Sequence, residues 1–75
     1  MIFRYFKVRN RDMVYLKFIV EAYEGMNVMS TVDNVAGIIR IAIMEGFEGD
    51  MDGVLAELGQ QVSMEQVEWH DAPAF

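Results

Sequence analysis

Few side chains in this sequence are equipped for covalent chemistry. Nucleophilic catalysis needs a hydroxyl or thiol beside a base, and the inventory is Ser30, Thr31 and Ser63, with His70 as the one histidine and no cysteine. Without cysteine, disulfides, zinc–thiolate centres, iron–sulfur clusters and thiol catalysis are excluded. Ser30 and Thr31 lie in a stretch of alternating valines, and His70 adjoins the tail Asp71-Ala72-Pro73-Ala74-Phe75, so no triad is expected. Glu45, Glu48, Asp50 and Asp52 supply paired carboxylates. General acid–base work also needs a concave pocket, for which a 75-residue chain has little room. The expectation is a protein that is not an enzyme and carries no cofactor.

Two denser constellations bear on binding. Glu48-Gly49-Asp50-Met51-Asp52-Gly53 half-matches a calcium loop, with oxygens at positions 1, 3 and 5 and glycine at 6, but the required bidentate Glu at position 12 is replaced by Gly59. Met51, Val54, Leu55 and Leu58 instead recur at helical spacing, so the acids are expected in a helix's first turn, with no metal. Arg4-Tyr5-Phe6-Lys7-Val8-Arg9 interleaves basic and aromatic residues, as RNA-binding strands do. A third strand offering Ile38, Arg40 and Ala42 in place of aromatics, and a net charge of −6, argue against nucleic acid. Arg9, Asn10 and Arg11, together with Arg40, form the cationic set that an anionic or amino-acid ligand would use.

The elements that must position these groups follow from periodicity. Ile2 to Val8 alternates as a strand. Arg11 to Glu24 lacks Gly and Pro, with Asn10 or Asp12 able to cap it and Gly25 able to end it, and is expected to be helical. On that helix Lys17, Glu21 and Glu24 mark the wet side, Tyr15, Leu16, Ile19, Ala22 and Tyr23 cluster opposite, and Phe18 and Val20 lie on the flanks. Strands are expected over Met26 to Val32 and Ile38 to Met44, joined through Asp33-Asn34-Val35-Ala36-Gly37. A second helix is expected over Asp50 to Leu58, stopped by Gly59, then an edge strand over Met64 to His70.

The order strand, helix, strand, strand, helix, strand is that of an α+β, ferredoxin-like split sandwich. Right-handed crossovers place the first and third strands centrally in an antiparallel sheet with both helices on one face. The chain forms one domain over residues 1–70, followed by a flexible tail, 71–75. The opposite sheet face is expected to carry Phe3, Tyr5 and Lys7, then Asn27, Met29 and Thr31, then Ile38, Arg40 and Ala42. So mixed a surface suits a partner, and Tyr5, Phe18, Met29 and Ile38 are the expected interface residues.

Composition points the same way. The chain is 53% hydrophobic and 24% charged, yet a domain this small buries little more than ~60% of its unfolded surface and usually gains stability from a staple or a partner. With no cysteine, association is the remaining route, and a homodimer is its simplest form. Residues 1–17 carry a net +4 and residues 18–75 a net −10, which would let unlike ends meet. No apolar run approaches the ~20 residues of a membrane span, and Met1-Ile2-Phe3-Arg4 does not open a secretory leader. A cytoplasmic protein is expected.

The run Tyr15-Leu16-Lys17-Phe18-Ile19-Val20-Glu21-Ala22-Tyr23-Glu24-Gly25, followed by Ser30-Thr31-Val32-Asp33 and Gly37-Ile38-Ile39, resembles a family of small bacterial proteins known as a domain of unknown function. The resemblance spans roughly residues 3–58 and implies a compact α+β domain without assigned chemistry. The topology also resembles ACT-like regulatory domains, which bind amino acids or other small ligands at subunit interfaces. That likeness implies a ligand sensor as the alternative to a self-associating interaction or regulatory module. ACT domains favour a glycine between the first strand and helix, where this chain has Val8-Arg9-Asn10-Arg11-Asp12.

Overall fold

A computed structural model describes residues 1–23 and 25–69. It contains β1 (Ile2–Val8), α1 (Asn10–Glu21), β2 (Asn27–Asp33), β3 (Ile38–Ile43), α2 (Glu48–Gln61) and β4 (Met64–Val67). All pairings are antiparallel and the sheet order is β2-β3-β1-β4. This is the expected ferredoxin-like α+β arrangement, with β1 and β3 central.

The core forms where alternation in the strands meets helical spacing in α1 and α2. Ile39, Ile41 and Ile43 of β3 are wholly buried, as are Leu16 and Val20 of α1 and Met51 of α2. Phe6, Val8, Leu55 and Leu58 complete the cluster. Val20 is therefore central rather than on a flank: it and Leu16 stand four residues apart on the side of α1 that faces the sheet. Ala22, expected among the inward residues, is exposed.

Element ends differ from expectation for physical reasons. α1 starts one residue early, with Arg9 at the N-cap and no side-chain cap. It stops at Glu21, before the turn containing Gly25, whose φ is +83°. α2 begins at Glu48 and runs through Gly59 to Gln61, because Leu58 is anchored in the core and the chain turns only at Val62, whose N–H donates to the Leu58 carbonyl at 3.0 Å. Three glycines inside α2 each weaken it by up to ~1 kcal/mol, so burial of Met51, Leu55 and Leu58 must hold it. β4 ends at Val67, short of the expected strand, with Glu68 and Trp69 outside it, while His70 and the tail 71–75 lie outside the described residues.

The β2–β3 connection is fixed by side-chain and backbone contacts together. The Asp33 carboxylate accepts from the N–H of Val35 at 3.0 Å and of Ala36 at 2.9 Å, an Asx-type turn. The Gly37 N–H then donates to the Asp33 carbonyl at 2.9 Å, and the Val8 N–H donates to the Gly37 carbonyl at 2.8 Å. Gly37 has φ +76°, and a Cβ there would sit 2.4 Å from the Val8 carbonyl oxygen. Only glycine satisfies both demands.

Two substitutions should separate in urea titrations. Gly37→Ala is expected to cost about 1–3 kcal/mol. Gly53→Ala, in mid-helix with nothing within 4 Å of the added methyl, is expected to gain about 0.5–1 kcal/mol.

Candidate functional site

Pairing registers define the sheet face opposite the helices as three rows of residues. One runs Phe3–Ala42–Val28 across β1, β3 and β2; the next runs Val67–Tyr5–Arg40–Ser30; the third runs Glu65–Lys7–Ile38–Asp33. The first row is apolar, with Phe3 47% and Val28 53% exposed on either side of the small Ala42. The third carries an opposite-charge neighbour pair, Lys7 and Glu65. The Arg40 guanidinium lies 5.2 Å from the Phe3 ring centre, a cation–π contact that bridges the rows.

Tyr5, Ile38 and Arg40 occupy this face as expected, Tyr5 half-buried and Ile38 buried beneath its neighbours. Met29 does not. It pairs with Ile41, on the helix side, and packs against the core, as Asn27 pairs with Ile43 and Thr31 with Ile39. Val28 and Ser30 take the open face instead. The physical reason is at Asn27, whose side-chain amide donates to the Val20 carbonyl at 3.1 Å and the Tyr23 carbonyl at 3.3 Å. Both carbonyls also accept backbone N–H bonds, Val20 from Tyr23 at 3.1 Å and Tyr23 from Met26 at 3.2 Å. The amide adds a further bond to each, tying β2 to the end of α1 with Met29 on the inward side.

Phe18 is 74% exposed and Val14, one turn earlier, 79% exposed, on the side of α1 opposite Leu16 and Val20. Val14 was not among the expected interface residues. Its signal was the spacing of four to Phe18, out of phase with the equal spacing of Leu16 to Val20. Beside them a cavity of about 190 Å³ between the helices is lined by Tyr15, Ile19, Tyr23 and Val54, among others. The Tyr15 hydroxyl donates across it to Gln61 Oε1 at 2.7 Å.

The cationic set is divided. Arg9 lines a cavity of about 310 Å³ with Lys7, Val8, Ser63 and Glu65, and Asn10 and Arg11 begin α1. Arg40 lies opposite Tyr5, four residues back along β1 from Arg9, or about 13 Å at strand rise. Within one chain, then, Arg9 and Arg40 do not share a site.

Glu48, Asp50 and Asp52 are wound into the start of α2, which sets Asp50 on the side opposite Glu48 and Asp52 instead of converging all three as a calcium loop would. Asp52 pairs with Arg4 at 3.4 Å, beside a cavity of about 380 Å³ that Phe6, Leu55 and Gln66 also line. Among the described residues no three His, Cys, Asp or Glu side chains are grouped as metal ligands, and no helix is long and apolar enough to cross a membrane. Ser30 and Ser63 have no histidine near them among the described residues, His70 lying outside these.

A family model described as a domain of unknown function (DUF4911) matches residues 6–62. No curated protein and no solved structure matches the chain.

The orientation of β2 is testable by thermal or urea unfolding. Asn27→Ala removes the side-chain bonds to the Val20 and Tyr23 carbonyls, which keep their backbone donors, and is expected to cost about 0.5–1.5 kcal/mol. Ser30→Ala, on the open face, should stay within about 0.5 kcal/mol.

Proposed function

This chain belongs to that family of unknown function, and with no activity to inherit from it we propose that it is a non-enzymatic module for protein interaction that associates with itself as a homodimer. The observation that carries this is the placement of large apolar side chains in solvent: Val14 and Phe18 on α1, Phe3 and Val28 on the sheet. A chain of 75 residues that can bury only a small core leaves such groups outside when another surface covers them. The +4 and −10 charge split along the chain lets one copy's basic end meet another's acidic remainder. The same net charge of −6 disfavours a nucleic-acid partner. The shallow, dispersed cavities and scattered carboxylates favour binding over catalysis.

A native mass spectrum of protein purified without added ligand is expected to show twice the 8.6 kDa chain mass and no adduct. Sedimentation at ~100 μM, well above the dissociation constant of a standard-sized interface, should agree. A lone monomer there would overturn the proposal, and a dimer carrying a discrete small-molecule adduct would replace it with a ligand sensor.

A further inference from the structure

Of the two apolar surfaces, the sheet face is partly closed by its own chain. Ile38 is 4% and Ala42 8% exposed, and Arg40 lies over Phe3. Among the described residues nothing comparable covers the outer side of α1, where Val14 and Phe18 are each about three-quarters exposed. We propose that α1 is the self-association seam, packing antiparallel against α1 of a second copy so that Val14 of each meets Phe18 of the other. This rests on the self-association proposed above and assigns it to one surface.

The charge layout of α1 supplies the occupant. Arg9 and Arg11 stand at its N-terminal end, and Glu21 closes a last turn that has no basic residue. Glu21 pairs with Lys17 one turn back at 3.9 Å, in an exposed contact that a partner's arginine can compete for. Asp12, the acid of the first turn, is half-buried. Exposed charge thus runs against the helix's own dipole, which favours acids at the N-terminus and bases at the C-terminus. An antiparallel copy reverses the situation, because each basic end then lies beside a partner's acidic, dipole-negative end. The spacing is symmetric as well: Arg11 precedes Val14 by three residues, Glu21 follows Phe18 by three, and both pairs are centred on Leu16. A two-fold axis at the level of Leu16 therefore brings position 14 to 18 and position 11 towards 21, the self-complementarity that an isologous dimer requires. The inter-helix groove lined by Tyr15, Ile19 and Val54 continues the apolar strip toward α2 and widens the contact beyond a single helix.

Sedimentation velocity of four variants against the wild type tests this. The double substitution Val14→Lys, Phe18→Lys is expected to give a folded monomer, with circular dichroism unchanged, since neither side chain packs in the core. Val28→Glu, on the sheet, is expected to remain dimeric. Arg11→Glu should raise the dimer dissociation constant roughly tenfold. Adding Glu21→Arg to it should restore association. A double lysine variant as dimeric as the wild type overturns the seam. If Val28→Glu alone gives a monomer, self-association stands but belongs to the sheet. Weakening by Arg11→Glu without rescue by Glu21→Arg overturns the antiparallel orientation, and a monomeric wild type overturns both proposals.

Discussion

Which side of β3 faces the helices governs the rest of the molecule. Ile39, Ile41 and Ile43 are wholly buried on that side, and each contributes about 1.5–3 kcal/mol through burial. On the other side stand Ile38, Arg40 and Ala42. A slip of one residue would exchange these sets and push the Arg40 charge among leucines and isoleucines, at a cost of several kcal/mol. Because β3 pairs with both β1 and β2, the choice propagates: Phe6 is set opposite Ile39, and Met29 opposite Ile41. Arg4 falls opposite Ile41 on the helix side, and its side chain, 28% exposed, reaches past the core to Asp52 of α2, keeping its charge at the wet margin.

The one-sided core also explains where function can reside. Both helices are consumed by the same sheet face, through Leu16 and Val20 from α1 and Met51, Leu55 and Leu58 from α2. Large apolar side chains left in solvent include Phe3 and Val28 on the sheet and Val14 and Phe18 on α1, together with Val35 in the β2–β3 turn. Among the described residues no deep cleft forms between the layers. On α2, Asp50 stands on the side opposite Glu48 and Asp52, and the arginines are divided between the start of α1 and the sheet.

Much of this was legible in the residues. Alternation in Ile2–Val8 and Ile38–Ile43, the turn residues from Asp33 to Gly37 and the spacing of Met51, Leu55 and Leu58 are local signals, and local signals set element identity and order. Boundaries were less legible. Gly59 carries the usual mark of a helix end, yet α2 passes through it because burial of Leu58 outweighs glycine's weak preference. The inward side of α1 was blurred by apolar residues all round the helix, with Val14, Tyr15, Phe18, Ile19 and Val20 giving no clean stripe.

Sequence by itself determined the element order, the fold class that follows from right-handed crossovers, the central position of β3 and the absence of thiol chemistry, because these depend on residue type and near-neighbour spacing. Tertiary structure alone decided the facing of β2. Its two sides, Val28 with Ser30 and Asn27 with Met29 and Thr31, are nearly equal in hydrophobicity, so alternation cannot rank them. The difference is the amide of Asn27 meeting the carbonyls of Val20 and Tyr23 where the chain leaves α1. That bond joins elements whose approach no local pattern encodes, and it leaves Met29 in the core and Val28 in solvent.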